Sequence, residues 1–152
     1  MKATAIDDVT LAIFAAIDAA VTYPVFDGPP SKLPSGTGQY KWLAIGVDVL
    51  DDQSGPATAA IMDQTWASLG EISRAEQMQI HCVAVGRGTS IANARALAMA
   101  VIQDVGTYLP KHPTPESYNA LISTVSAVKP HNMAGGALVH IEFTISASAR
   151  LV

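Results

Sequence analysis

The segment from Ala137 to Arg150 alternates apolar and polar side chains without a break. Val139, Ile141, Phe143, Ile145 and Ala147 share one parity, and His140, Glu142, Thr144, Ser146 and Ser148 the other. Successive side chains of a strand point to opposite faces, so this pattern predicts a long strand with one face on a core. Ala120 to Val128 reads as the strand before it, with Pro130 to Gly136 as the intervening turn. After Glu116 only Lys129, Glu142 and Arg150 are ionised. Sheet edges of isolated domains are normally guarded by charge, because unpaired backbone invites association. A hairpin this bare is built to be covered, by another copy of the chain or by a neighbouring protein.

The whole chain shares that character. Charged residues are 14% of its 152 residues, against roughly 25% in ordinary soluble domains, while apolar residues reach 49%. Its length suits one domain with a real core. The deficit is in solvated surface, which points to interfaces. A net charge of -4, with nine scattered Lys and Arg, argues against wrapping nucleic acid, which needs a basic stripe. The single cysteine, Cys82, excludes an internal disulfide and fits a reducing compartment. Asp7 and Asp8 fall where a secretory signal would be apolar, and the apolar run Leu11 to Ile17 is too short to span a membrane. The expectation is a soluble protein made in the cytoplasm.

Along the chain, a first helix is predicted from about Ala5 to Val21. Val9, Ile13, Ala16 and Ala20 form its stripe, flanked by Ile6 and Ile17. Tyr23 to Phe26 is extended, and the turn-forming residues from Asp27 to Gln39 make a long loop. Trp42 to Leu50 reads as a strand with Leu43, Ile45, Val47 and Val49 on one face, followed by a turn from Asp51 to Pro56. Thr58 to Ala67 fits a strand or a helix, and the strand is preferred because the next extended segment is so close. Gln77 to Val85 alternates as a half-buried strand, with Gly86-Arg87-Gly88 breaking it. Thr89 or Ser90 then caps a second helix that reaches Leu109 and buries Ile91, Ala94, Ala98, Val101, Ile102, Val105 and Leu109. This order predicts an α+β fold, a mixed and mostly antiparallel sheet with two helices packed on one face.

Few residues look chemical. Gly86 to Ser90 precedes a helix, where phosphate loops occur, but it lacks both the Lys-Ser/Thr pair and the third glycine of the known loops. A plain turn with a helix cap is the simpler reading. His81 and Cys82 are neighbours on a strand, so they point apart and cannot act as a base and nucleophile. Cys82 reads as a small core residue. His131, His140 and Glu142 have weak metal spacing, and Asp48, Asp51 and Asp52 lack the pattern of a calcium loop. Both groups read as solvated or interface polar residues. No cofactor or metal is expected. Arg74 and Glu76 would share a strand face and could bridge to each other or to a neighbouring subunit.

At Val25-Phe26-Asp27-Gly28-Pro29-Pro30 the chain resembles the tail terminator proteins of long-tailed bacteriophages, the minor tail proteins that join tail to head. The likeness continues through the preceding helix and the strand Trp42-Leu43-Ala44-Ile45-Gly46. It extends over Thr65 to Gly70, Arg74 to Cys82 and the closing strand that ends Ser146-Ala147-Ser148-Ala149-Arg150. It covers nearly the whole chain, through short motifs. The resemblance implies a structural virion protein and no enzyme. Such proteins form a ring, usually a hexamer, at the head-proximal end of the tail. The ring caps the tail tube, stops tube polymerisation and presents the surface for the head-tail connector or head-closure protein. DNA passes through the lumen without being gripped.

A head-to-tail contact that closes on itself makes a ring, and it needs two different surfaces per subunit. On this reading Arg74, Glu76, Arg87 and Arg95 are candidate subunit contacts. Asp27, Gly28, Pro29, Pro30 and Lys32 in the loop, with His131, Asn132 and Met133 in the turn, are candidate contacts to the tube or connector. The alternatives are a head-closure or tail-tube protein, or a small α+β anion- or nucleotide-binding enzyme using the Gly86 to Ser90 turn.

Overall fold

A computed structural model describes residues 4–36, 38–47, 59–66, 74–109 and 119–151. Helix α1 (Ile6–Ala20) leads to strands β1 (Val25–Asp27), β2 (Tyr40–Ile45), β3 (Ala60–Trp66) and β4 (Arg74–Gly88). Helix α2 (Ile91–Tyr108) and strands β5 (Asn119–Met133) and β6 (Gly136–Leu151) follow. The strands form one sheet in the order β1-β2-β4-β6-β5, and β3 pairs with β4 beyond the end of β2. Among the described residues only β1 and β2 pair in parallel, and the other pairs are antiparallel. Both helices pack into one core against one sheet face. The α+β fold with two helices on one side of a mostly antiparallel sheet is the architecture that the alternation patterns predict.

That core joins Val9, Ile13 and Ile17 of α1 to Ala94, Ala98, Val101, Ile102 and Val105 of α2. Beneath them lie Met78, Ile80, Cys82 and Ala84 of β4, and Val139, Ile141, Phe143 and Ile145 of β6. The parity read from β6 therefore selects its buried face as expected. In α1 the stripe is shifted: Ile17 is fully buried, whereas Ala20 is exposed in the last turn. Ser90 caps α2, its hydroxyl accepting from the Asn93 N–H at 3.2 Å. Tyr23 adds a lateral tie, its hydroxyl donating to Asp104 at 2.8 Å. Burial and that neighbouring carboxylate hold the Tyr23 hydroxyl protonated well above its ordinary range.

Three local readings need correction. The strand from Trp42 does not carry Val47 on the Leu43 and Ile45 face. Gly46 takes a φ of 87°, and the Gly46 and Val47 N–H groups both donate to the His81 carbonyl. This bulge-like step changes the parity, so Val47 packs with Trp42 and Ala44 on the opposite face. Gly86-Arg87-Gly88 does not break β4, which pairs with β6 through Gly88. Pro130 to Met133 belong to β5, and only Ala134 and Gly135 form the hairpin turn. The preferred strand for Thr58 to Ala67 is present as β3. Val49, Leu50 and the Asp48, Asp51 and Asp52 cluster lie outside the described residues.

Candidate functional site

The sheet face away from the helices is where a site must be sought. Near β1 and β2 the protein covers part of it. Trp42, Ala44, Val47, Val83 and Val85 pack with Phe26, Tyr40 and Leu138, and Phe26 meets Trp42 edge to face at 5.6 Å. The loop after β1 closes over this end. Leu33 and Pro34 border a small pocket of about 70 Å³ with Tyr40, Trp42, Val85, Leu138 and His140. Gly38 offers its carbonyl to Arg87 at 2.9 Å.

Beyond the loop, no helix among the described residues lies on this face. Strand pairing aligns Ile61, Gln79, Ser146 and Leu121 in one row across four strands, and His81, Thr144 and Thr124 in the next. These rows carry no carboxylate, Lys or Arg. Lys129 and Glu142 form an ion pair on the same face at 2.8 Å. Leu121 is 58% exposed and Ile61 is 55% exposed, each on the outer strand of its side of the sheet. Val125 and Val128 of β5 are also exposed, but they pair with Phe143 and Ile141 and so belong to the helix-facing side. An open face with neutral polar residues inside, Ile61 and Leu121 at opposite margins and the Asp63 carboxylate one row from Ile61 can recognise another protein surface.

The residues singled out for contacts divide sharply. Glu76 is fully buried and Arg87 is 4% exposed, so neither offers a surface to a neighbouring subunit. The Glu76 carboxylate accepts from the Thr4 hydroxyl at 2.7 Å, from the Ala5 N–H at 2.9 Å and from the Gln64 amide. Arg87 lies over the Tyr40 ring, 6.0 Å from its centre, besides its bond to Gly38. Both are internal ties, a role that strand parity alone does not reveal. Arg95 is exposed on α2. Arg74 opens β4, and its side chain lies outside the described residues.

Among the loop candidates, Asp27 ends β1 and is exposed, while the Gly28 N–H donates to Ile45. Pro29 and Lys32 are exposed, and Pro30 is half-buried. His131, Asn132 and Met133 are exposed, but as the end of β5 paired with Leu138, Ala137 and Gly136. The row Tyr40, Arg87, Leu138 and His131 links the loop exit to the tip of the hairpin. The hairpin candidates therefore lie level with Tyr40, whereas Asp27 and Gly28 lie beside Ile45 at the other end of β2. Leu121 and Ile61 are not among the contact candidates; the signal for Leu121 was the charge-poor third of the chain.

The Gly86 to Ser90 segment is occupied by its own structure. A Cβ on Gly88 would run into the Asn93 side chain and lie 2.9 Å from the Ala94 N–H nitrogen. The Thr89 N–H donates to Asn93 Oδ1 at 3.1 Å, and the Asn93 N–H to Ser90. The Thr89, Asn93 and Ala94 amides are thereby already satisfied from within the segment. Among the described residues no three His, Cys, Asp or Glu side chains gather as a metal site. No described helix is long and apolar enough to cross a membrane.

Cys82 sits on the helix-facing side and is fully enclosed, and burial pushes its thiol up to about 12. The folded protein holds this proton more tightly than the unfolded chain. Stability attributable to Cys82 is thus intact below about pH 9 and declines as pH rises toward 12. The slope should approach 1.4 kcal/mol per pH unit for a single site. Urea unfolding from pH 8 to 11 should show Cys82→Ala losing part of this alkaline decline, and native Cys82 should resist thiol reagents. No protein-family model matches the chain, and no curated protein matches it.

Proposed function

We propose that this chain is a structural virion protein of the tail-terminator type. Its copies form a ring on the last ring of a phage tail tube, end tube growth and offer the joining surface to the head connector or head-closure protein. The observation that carries this reading is the part of the sheet that no described helix covers, with two cross-strand rows free of charge and exposed Ile61 and Leu121 at opposite margins. In a lone domain such a surface is an association hazard; in a ring subunit it is the working surface. Two dissimilar margins suit a heterologous contact that closes. The loop exit and hairpin tip, meeting at one end of the sheet, are the candidate surface for the tube or connector. DNA passes through the lumen and is not a ligand.

Light scattering across a concentration series, with negative-stain imaging, tests the reading. Closed rings of one size are expected, at high concentration or on added tail tubes. Filaments of unlimited length would instead assign the chain to the tube itself. A monomer that ignores tube ends at every concentration would refute the ring.

A further inference from the structure

We infer that neighbouring copies join by antiparallel pairing of β5 in one copy with β3 in the next, in the register that sets Leu121 beside Ile61. This rests on the ring reading above and specifies its contact. At one end the sheet is four strands wide, in the order β3-β4-β6-β5. Each strand there is antiparallel to its neighbour, so β3 and β5 run in opposite directions at opposite margins. Among the described residues each of these two strands pairs on one side only.

That geometry has a direct consequence. When two copies stand side by side in the same orientation, β5 of the first meets β3 of the second antiparallel, the commoner strand pairing. The contact is head to tail and can repeat around a ring. The row Ile61, Gln79, Ser146 and Leu121 also begins and ends in an exposed aliphatic residue with neutral polar residues between. The charge that β3 carries on this face, Asp63, falls opposite Asn119 in the same register and so meets no acidic residue. Continued across the boundary, the row brings Leu121 and Ile61 into direct cross-strand contact, at a Cβ separation of about 5 Å.

The rest of β5 is closed to an added strand. Its pairing with β6 shifts register at Ser123 and Ser126, whose hydroxyls bond to the Thr144 and Glu142 carbonyls. Lys129 and Pro130 follow. Bulges, a lysine and a proline are the usual protections of an edge. Pairing is thereby confined to the start of β5, the stretch level with β3.

The test is oxidation of the full-length I61C/L121C double variant, with buried Cys82 left in place. Within one subunit the two positions stand three strand spacings apart, about 14 Å, too far for a disulfide. The expected result is a ladder of covalent multimers that ends at the subunit number of the ring, while each single variant stays at monomer size. L121K should lower assembly at least tenfold without moving the thermal midpoint, because the side chain is exposed. L121C alone giving a covalent dimer would overturn the inference in favour of β5 pairing with itself. Rings by mass without double-variant crosslinks would overturn the inference and leave the ring reading standing. A chain that is neither crosslinked nor ever larger than a monomer would refute both.

Discussion

Gly86→Ala is expected to destabilise the protein by about 3 kcal/mol, the upper end of ordinary overpacking. The added methyl would overlap the Ala94 carbonyl oxygen and lie 2.6 Å from the Ala98 nitrogen. Both are backbone atoms of α2, so no side-chain rotation relieves the clash; the helix must lift from β4. Ala94 and Ala98 are fully buried where the helix rests on this glycine, which makes the contact small against small. Denaturant unfolding should show a lower midpoint with an unchanged slope. Gly106→Ala is the internal control. Among the described residues a Cβ there meets only Ile122 Cδ1 at 3.7 Å, so the helix gains propensity and stability should rise by up to about 1 kcal/mol. Equal effects from the two substitutions would contradict this account of the Gly86 segment.

Glu76→Ala should cost about 3 kcal/mol and act first on α1. The N-cap position of α1 is Ala5, a residue type that caps poorly and makes no side-chain cap bond, and only the Thr4 hydroxyl, accepting from the Ile6 N–H at 3.1 Å, helps locally among the described residues. Glu76 serves from β4 instead, placing a carboxylate against the positive end of the helix dipole and accepting the Ala5 N–H. Its second oxygen takes the Gln64 amide from β3. Removing the carboxylate strands buried donors, each worth about 1–3 kcal/mol. Hydrogen exchange should quicken across the first turns of α1 and in β3, before the global melt. Glu76→Gln should do better than alanine yet stay below the native protein, since its amide NH₂ would face the Gln64 NH₂. Uniform loss of protection throughout the chain would argue against this local role.

The Glu76 substitution also links stability to assembly. β3 is the strand proposed to meet the next copy, and Glu76 ties it to α1 through Gln64. Loosening β3 should therefore weaken ring formation even though Glu76 itself touches no neighbour.

How much of this was legible beforehand differs by element. In β6 and α2 the repeat of apolar side chains is a local property, and Phe143, Ile145, Val101 and Val105 are buried as their spacing requires. Ser90 as the cap of α2 is equally local, since the hydroxyl reaches an amide three residues away. The reading failed where one residue altered the parity, as at Gly46. It failed again where a glycine that looks like a turn is space for a helix, as at Gly86. Glu76 and Arg87 were read as surface charges because nothing nearby in the chain marks their partners. Thr4 lies 72 positions from Glu76, and Gly38 lies 49 from Arg87.

Local pattern alone determined the α+β class, the faces of the long strands and the scarcity of charge in the final third, because periodicity and ionisation belong to residues and their near neighbours. Which charges are internal ties, which glycines seat a helix, and that Ile61 and Leu121 end one row at opposite margins were decided only by the tertiary structure. Those relations are set by strand order and register between distant segments, and no spacing along the chain encodes them.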